Sequence, residues 1–203
     1  LGRDKSARTA SFAWRMACEG GLGEDDQRAA WHAALLRHLG CTAFASVEAE
    51  LADDDIALRG ALMRADGAVD QMRALVTANP GNAGRALRAA ARAGVGGGAL
   101  RERWTREACE AARLLAERLG LGHEVVAALD QVFERHDGRG APRGLSGDEI
   151  STVARVANVA HAAVLGWTDG DRDGAEARLA AGSGSALDPA WVVRARALLG
   201  TLD

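Results

Sequence analysis

Histidine and arginine are the residue types of this 203-residue chain that are best suited to build a functional site. Imidazole changes its charge near neutral pH and is a common metal ligand, so every histidine is a candidate acid, base or ligand. The chain contains five of them, at His32, His38, His123, His136 and His161. Arginine carries a permanent positive charge and binds anions with paired N–H donors. Acid–base chemistry, metal binding and anion binding are therefore the activities to test against the pattern.

The glycine-rich segment from residue 136 to 147 combines positive and negative side chains at close spacing. Three arginines lie in or beside it, at Arg135, Arg139 and Arg143. The carboxylates of Glu134 and Asp137 are close enough in sequence to clamp these arginines internally. Gly138 and Gly140 indicate a tight loop, because such loops need positive φ or a close approach of backbone.

Other catalytic chemistry has no matching pattern in the sequence. The three cysteines, Cys18, Cys41 and Cys109, lack CxxC spacing and predict reduced thiols of a cytoplasmic protein, not a disulfide framework or a zinc site. Cys18 and Cys109 are expected in the core, and Cys41 either lines a site or caps a helix end. No nucleophile elbow, phosphate-binding loop, dinucleotide fingerprint or HExxH sequence is present.

The elements that position these side chains are predicted to be helices. Ala, Leu and Arg dominate, Tyr is absent and β-branched residues are few, which favours an all-α chain. Helices are predicted over Thr9–Glu19, Glu24–Leu39, Ser46–Met63, Ala68–Ala78, Glu102–Leu119, His123–Arg135, Asp148–Leu165, Ala175–Ala181 and Pro189–Leu199. Gly94–Gly98 is predicted to be a hinge, and Gly166–Gly174 an acidic turn. A helical bundle in a single domain is the consistent outcome.

Charge and hydropathy exclude several classes of partner. The net charge of −3 gives no electrostatic reason to expect direct nucleic-acid binding. No apolar run reaches the roughly 18–20 residues that a membrane span needs. The chain begins with Leu1, so we expect a piece of a longer protein with further domains beside it.

A resemblance to a known family comes from the segment Phe133–Pro142, FERHDGRGAP, which RGLSGDEI follows. It resembles the signature of the HD-GYP proteins, a branch of the HD-domain metal-dependent phosphohydrolases, which reads like HHExWDGxGYPxGLxGxxI. The positions in step with it are Glu134, Asp137, Gly138, Gly140, Pro142, Gly144, Leu145, Gly147 and Ile150. Val132 and Phe133 replace the two opening histidines, and Ala141 replaces the tyrosine.

Three further segments follow in the family's order. AALLRHLGC at Ala33–Cys41 is similar to AALLHDIGK, so that Arg37 and His38 stand in place of the His-Asp pair. VARVANVAH at Val153–His161 is similar to GARILAVAD, so that His161 replaces a metal-binding aspartate. SGSALDP at Ser183–Pro189 is similar to GTQFDP. The spelling also resembles actinobacterial HD domains that precede a LuxR-type helix-turn-helix.

The resemblance implies an HD-domain-like helical bundle over residues 1–203 that has lost its catalytic metal ligands. It implies that the Arg37-His38 pair, His161 and the loop from Arg135 to Arg143 meet at one site. The predicted ligand-binding residues are Arg37, His38, Arg135, His136, Asp137, Arg143 and His161. Arg37 either replaces the charge of a metal and binds an anion, or pairs with an internal carboxylate. His38 and His161 either bind one transition ion or a haem-like group, or form hydrogen bonds within a filled pocket.

The function expected from this pattern is a regulatory module that senses a small anionic or nucleotide ligand, within a transcription regulator if the narrower resemblance holds. No catalytic residue, bound metal or cofactor is predicted. A first alternative is a metal-dependent phosphohydrolase acting on a cyclic dinucleotide or another phosphate ester, through a reworked site at His38, His136 and His161. A second alternative is a structural module that forms a homodimer.

Overall fold

A computed structural model of the chain describes residues 5–40, 51–52, 54–62 and 68–202. The α-helices are α1 (Lys5–Glu19), α2 (Glu24–Leu36), α3 (Asp55–Leu62), α4 (Ala68–Thr77), α5 (Ala83–Arg118), α6 (His123–Leu129), α7 (Thr152–Gly182) and α8 (Pro189–Leu198). Two short 3-10 helices lie at Gly147–Glu149 and Leu199–Thr201. Within the described ranges the chain contains isolated β-bridges but no strand, which confirms the all-α prediction.

The chain forms two compact units, one of Leu1–Gly40 with Cys109–Asp203 and one of Cys41–Ala108. The core of the first unit is built mainly from alanine and valine, with larger side chains such as Phe12, Met16 and Leu129 fully buried among them. Small side chains let helix backbones approach closely, so this core positions α1, α2 and α7 with little room between them. The prediction of a single domain stays a prediction.

A turn of four residues joins α1 to α2 in the first unit. The predicted stop after Glu19 is confirmed, because Gly21 adopts φ of 73° and the N–H of Leu22 bonds back to the carbonyl of Ala17. The start of α1 lies four residues before the prediction, at Lys5. α2 ends at Leu36 and not at Leu39, since its last residues tighten into turn geometry, which is common at helix ends.

Helix α7 crosses the first unit, and most of its residues from Val153 to Gly166 are buried. It begins at Thr152 and not at Asp148, because Ser151 caps it by accepting a hydrogen bond from the N–H of Ala154. Its backbone is non-helical at Gly170 and Asp171, as the predicted acidic turn requires, and the helix resumes through Gly182.

In the second unit, α3 and α4 enclose a small core with Leu58 and Leu75 buried. Helix α5 begins in this unit, and its residues from Cys109 onward belong to the first. The predicted hinge at Gly94–Gly98 is wrong, because α5 is continuous through these glycines. Each glycine disfavours a helix by about 1 kcal/mol relative to alanine, but long runs of Ala, Leu, Arg and Glu on both sides have already formed the costly first turn.

Two further expectations need correction. α6 ends at Leu129 and not at Arg135, because the chain turns sharply there and the side chain of Gln131 accepts the N–H of Ser151 at 2.7 Å. Cys18 is exposed, whereas Cys109 is buried as predicted. Cys41 lies outside the described residues. Among the helices described, none combines the length and apolarity that crossing a membrane would need.

Candidate functional site

Arg37 lies at the end of α2 and its side chain points into the first unit. One guanidinium nitrogen, Nη1, donates a hydrogen bond to the side-chain carbonyl of Asn158 in α7. The guanidinium carbon lies 5.7 Å from the centre of the Phe133 ring, which is within the range of a cation–π contact. Arg37 therefore does not turn to solvent, and two other segments of the chain fix its position.

Asn158 connects three segments, and the sequence analysis did not identify it. It is 9% exposed, and its amide donates to the backbone carbonyl of Glu134 at 3.4 Å while its oxygen accepts from Arg37. A buried amide usually has such partners because an unpaired one is costly. The available signal was its place in α7, where it is polar among alanines and valines and lies one turn before His161.

His38 and His161 face each other beside Arg37. Their ring centres are 5.1 Å apart and the rings meet edge to face at 65°. Burial lowers the pKa of His161 well below its ordinary value, and the positive charges of Arg37 and His38 lower it further. Lys5 and Arg178 act in the same direction. Since the unperturbed pKa is 6.5, His161 is a neutral ring at neutral pH, in which one nitrogen donates a hydrogen bond and the other accepts one.

The glycine-rich loop that follows α6 is built around Glu134. This residue is 3% exposed, and its carboxylate accepts the backbone N–H of Arg143 at 2.8 Å and that of Leu145 at 3.0 Å. The expectation that Glu134 clamps an arginine side chain is therefore wrong, since its partners are backbone groups. Gly140 approaches the start of the loop so closely that an added Cβ would lie 2.5 Å from the Cα of Glu134. Gly138 adopts φ of 74°.

The charged side chains of the loop pair mainly with one another. Arg135 bonds to Asp137 through two nitrogens at 3.1 and 2.9 Å, as predicted for an internal clamp. The hydrogen bonds from Arg135 hold the pKa of Asp137 below its usual value. Arg143 pairs with Asp130 at 3.2 Å. These pairs reduce the positive charge that the loop can offer to a ligand.

His136 is fixed by its backbone, which donates to Ala186 at 3.3 Å and accepts from Gly147 at 3.0 Å. Its buried Nδ1 has no hydrogen-bond partner among the residues described. Of the predicted site residues, contacts thus join Arg37, His38 and His161 with Asn158 and Phe133, which we call the Arg37 cluster. Arg135, Asp137 and Arg143 form separate pairs within the loop.

The residues of the Arg37 cluster do not fit a binuclear metal centre. A guanidinium next to two imidazoles repels a cation, and neither Asn158 nor Phe133 supplies the anionic ligand that would compensate. Within the described ranges no three His, Cys, Asp or Glu side chains are grouped so that they could hold an ion. The cluster is better suited to an anion, because Arg37 carries a permanent positive charge and His161 has ring nitrogens for hydrogen bonds.

Comparison with known proteins identifies the fold. No protein-family model matches the sequence, and no curated protein matches it either. The chain is similar to the crystal structure of a cyclic GMP-AMP specific phosphodiesterase of V. cholerae, with a TM-score of 0.68 and 15% sequence identity. The similarity covers 98% of this chain and 44% of that one, so the chain spans less than half the length of its structural neighbour. The chain therefore has the all-α, HD-domain-like fold that the sequence predicted.

Proposed function

We propose that this domain is a regulatory module that binds a small phosphate-containing anion at the Arg37 cluster. The observation that carries the proposal is the partly buried hydrogen bond from Arg37 to Asn158 beside the His38–His161 pair. This arrangement places the permanent positive charge of Arg37 and the ring N–H groups of two imidazoles where a phosphate oxygen would find several donors. The residues predicted from the loop, Arg135, His136, Asp137 and Arg143, belong to the proposal as the wall of the site. Arg135 pairs with Asp137 and Arg143 with Asp130, so Arg37 is proposed as the main anion ligand.

The nature of the ligand is proposed from the structural neighbour. That protein is described as specific for cyclic GMP-AMP, so a cyclic dinucleotide is the first compound to test and inorganic phosphate the second. We propose further that the domain acts within a longer protein, such as a transcription regulator, whose other domains would respond to the ligand.

The test is an isothermal calorimetric titration of the purified chain, first with cyclic GMP-AMP and then, on a fresh sample, with phosphate. Replacing Arg37 with Ala should weaken binding roughly 10- to 100-fold, since a hydrogen bond to a charged group contributes about 1.5–3 kcal/mol. Arg118→Ala is the matched control, because Arg118 is exposed at the end of α5. Equal affinities of the two variants, or no binding of either compound to the wild-type protein, would contradict the proposal.

A metal-dependent phosphodiesterase with a reworked site at His38, His136 and His161 is the rival function, and the fold is equally consistent with it. In that case a divalent ion would activate water and neutralise the phosphate. Incubating the chain with manganese or iron and cyclic GMP-AMP distinguishes the regulatory module from the phosphodiesterase. Turnover that disappears in both His38→Ala and His161→Ala, together with stoichiometric metal by elemental analysis, would favour the enzyme.

A structural dimerisation role has one specific observation in its favour. Helix α4 exposes an apolar stripe with a spacing of three and four residues: Val69 is 73% exposed, Met72 40% and Val76 58%. Such a stripe is typical of a helix that packs against a partner. If the role is structural, sedimentation should show a concentration-dependent dimer that Val76→Lys disrupts, and anion binding should be absent.

A further inference from the structure

A groove between α1 and α2 lies on the surface of the first unit, and none of its lining residues belongs to the Arg37 cluster. Its lining side chains are Ser11, Trp14, Arg15 and Trp31. The space has a volume of about 440 Å³, which is at the small end of the range of roughly 300–1,000 Å³ for ligand sites. The groove can therefore accommodate a small molecule.

The side chains from α1 share one face of the helix. Ser11, Trp14 and Arg15 are spaced by three and four residues, so they lie next to one another along the groove. Trp14 is 37% exposed. Its indole is thus available for stacking on a planar ring, a contact that does not require a particular base.

Trp31 forms the opposite side of the groove from α2, and its neighbour holds it in place. The ring of His32 contacts Trp31 edge-on at 5.0 Å and 84°. His32 itself is fixed, because its Nδ1 lies 2.8 Å from the carbonyl of Arg28. A side chain that is fixed before binding loses little entropy when a ligand arrives, which favours recognition by stacking.

Positive charge accompanies the two indoles. Arg15 lines the groove, and Arg8 lies two turns earlier on the same side of α1. Both side chains are exposed, and neither makes an ion pair with any residue in the described ranges. A site with stacking surfaces and uncompensated guanidinium groups selects a ligand that is both planar and anionic.

We infer that the groove between Trp14 and Trp31 binds a mononucleotide, with its base against the indoles and its phosphate at Arg15. The volume supports one base with its sugar and phosphate, and the hydroxyl of Ser11 provides a hydrogen bond for the sugar or the base edge. This site uses none of the residues of the Arg37 cluster, so it stands or fails independently of the anion site proposed above.

The experiment uses the full chain labelled with ¹⁵N and titrated with AMP, adenosine or ribose 5-phosphate. AMP should shift the indole N–H signals of Trp14 and Trp31, while those of Trp167 and Trp191 stay in place. Adenosine should bind more weakly, because it lacks the phosphate, and ribose 5-phosphate should produce no indole shift. Trp14→Ala should weaken AMP binding roughly 5- to 100-fold, as expected from the contribution of base stacking.

Arg15→Gln and Arg118→Gln form the matched pair of charge variants, since both arginines are exposed on helices. The first should weaken AMP binding and abolish the advantage of AMP over adenosine, and the second should change neither. The inference is overturned if AMP leaves both indole signals unmoved at millimolar concentration. It is equally overturned if ribose 5-phosphate binds as tightly as AMP, or if Arg118→Gln weakens binding as much as Arg15→Gln.

Discussion

Replacing Glu134 with Gln should destabilise the domain more than any other single-atom change in the loop after α6. The carboxylate is 3% exposed and accepts two backbone N–H groups, from Arg143 at 2.8 Å and Leu145 at 3.0 Å. Both bonds cross the neck of the loop and join residues 9 and 11 positions away from Glu134. Glutamine has nearly the same shape, so the change removes charge and one acceptor without creating a cavity.

The size of the effect follows from those two bonds. In one bond the glutamine oxygen still accepts, but it is neutral. The loss of the negative charge weakens this hydrogen bond by about 1 kcal/mol. In the other bond the glutamine NH₂ replaces the accepting oxygen and faces a buried backbone N–H. That N–H is left without an acceptor, and an unsatisfied buried donor costs about 1–3 kcal/mol. The total is about 3 kcal/mol. For a chain of this length that lowers the melting temperature by roughly 6–12 °C.

Thermal and urea unfolding followed by tryptophan fluorescence measure this loss. Glu149→Gln is the matched control, since Glu149 also accepts two hydrogen bonds, from the N–H and the hydroxyl of Ser146, but is exposed. Water replaces the lost bonds there, so the control should unfold close to the wild-type midpoint. If the two variants unfold together, burial of the Glu134 carboxylate does not hold the loop and the reasoning is wrong.

Three further outcomes are expected from unfolding measurements. Gly166→Ala should cost at the upper end of about 1–3 kcal/mol, because its Cβ would lie 2.5 Å from the backbone oxygen of Gly174, which cannot move aside. Arg155→Met should cost about 3 kcal/mol, because it leaves the Asp188 carboxylate, 5% exposed and bonded to Arg155 at 2.9 Å, without its cation. His161 has its pKa lowered by burial and nearby cations, so the unfolded chain binds its proton first as pH falls. The contribution of neutral His161 to the free energy of unfolding is therefore fully present above pH 6.5 and declines below it. His161→Gln should flatten that decline.

Each of these outcomes has a comparison that would contradict it. Gly23→Ala adds a Cβ with nothing within 4 Å, so a loss as large as that of Gly166→Ala would show that crowding is not the cause. Asp148 also pairs with Arg155, but the Asp148 side chain is 95% exposed. Asp148→Asn should therefore change the free energy of unfolding little. Parallel stability curves of the wild type and His161→Gln from pH 8 to pH 5 would exclude a buried neutral imidazole.

The helical character of the fold followed from composition, and several ends of helices followed from glycine and proline. Pro189 begins α8 with Asp188 as its cap, and Gly21 lies in the turn that ends α1, because both residues act through their own backbone. Continuity across residues 94–98 could not be predicted this way. A run of glycines is compatible with a hinge or a helix, and the flanking segments determine which one forms.

The candidate site was predictable where the resemblance supplied an order of segments, which placed Arg37, His38 and His161 near one another. The partners of these residues were not predictable. Asn158 is 121 positions from Arg37 in sequence, and a hydrogen bond over that distance has no local pattern. The role of Glu134 was also missed, because the choice between a side-chain partner and a backbone partner depends on how the loop folds.

The break in α7 has a practical consequence for anyone who needs to attach a probe to this protein. The two halves of the helix meet where Gly166 and Gly174 contact each other through backbone alone, and the seven residues between them include an exposed run from Thr168 to Asp173. Because the contact is made by atoms that every variant retains, extra residues introduced at Gly170 would lengthen the connection without disturbing it. A fluorescent tag or short peptide inserted there would report on α7, the helix that carries Asn158 and His161, while leaving both ends of the chain untouched.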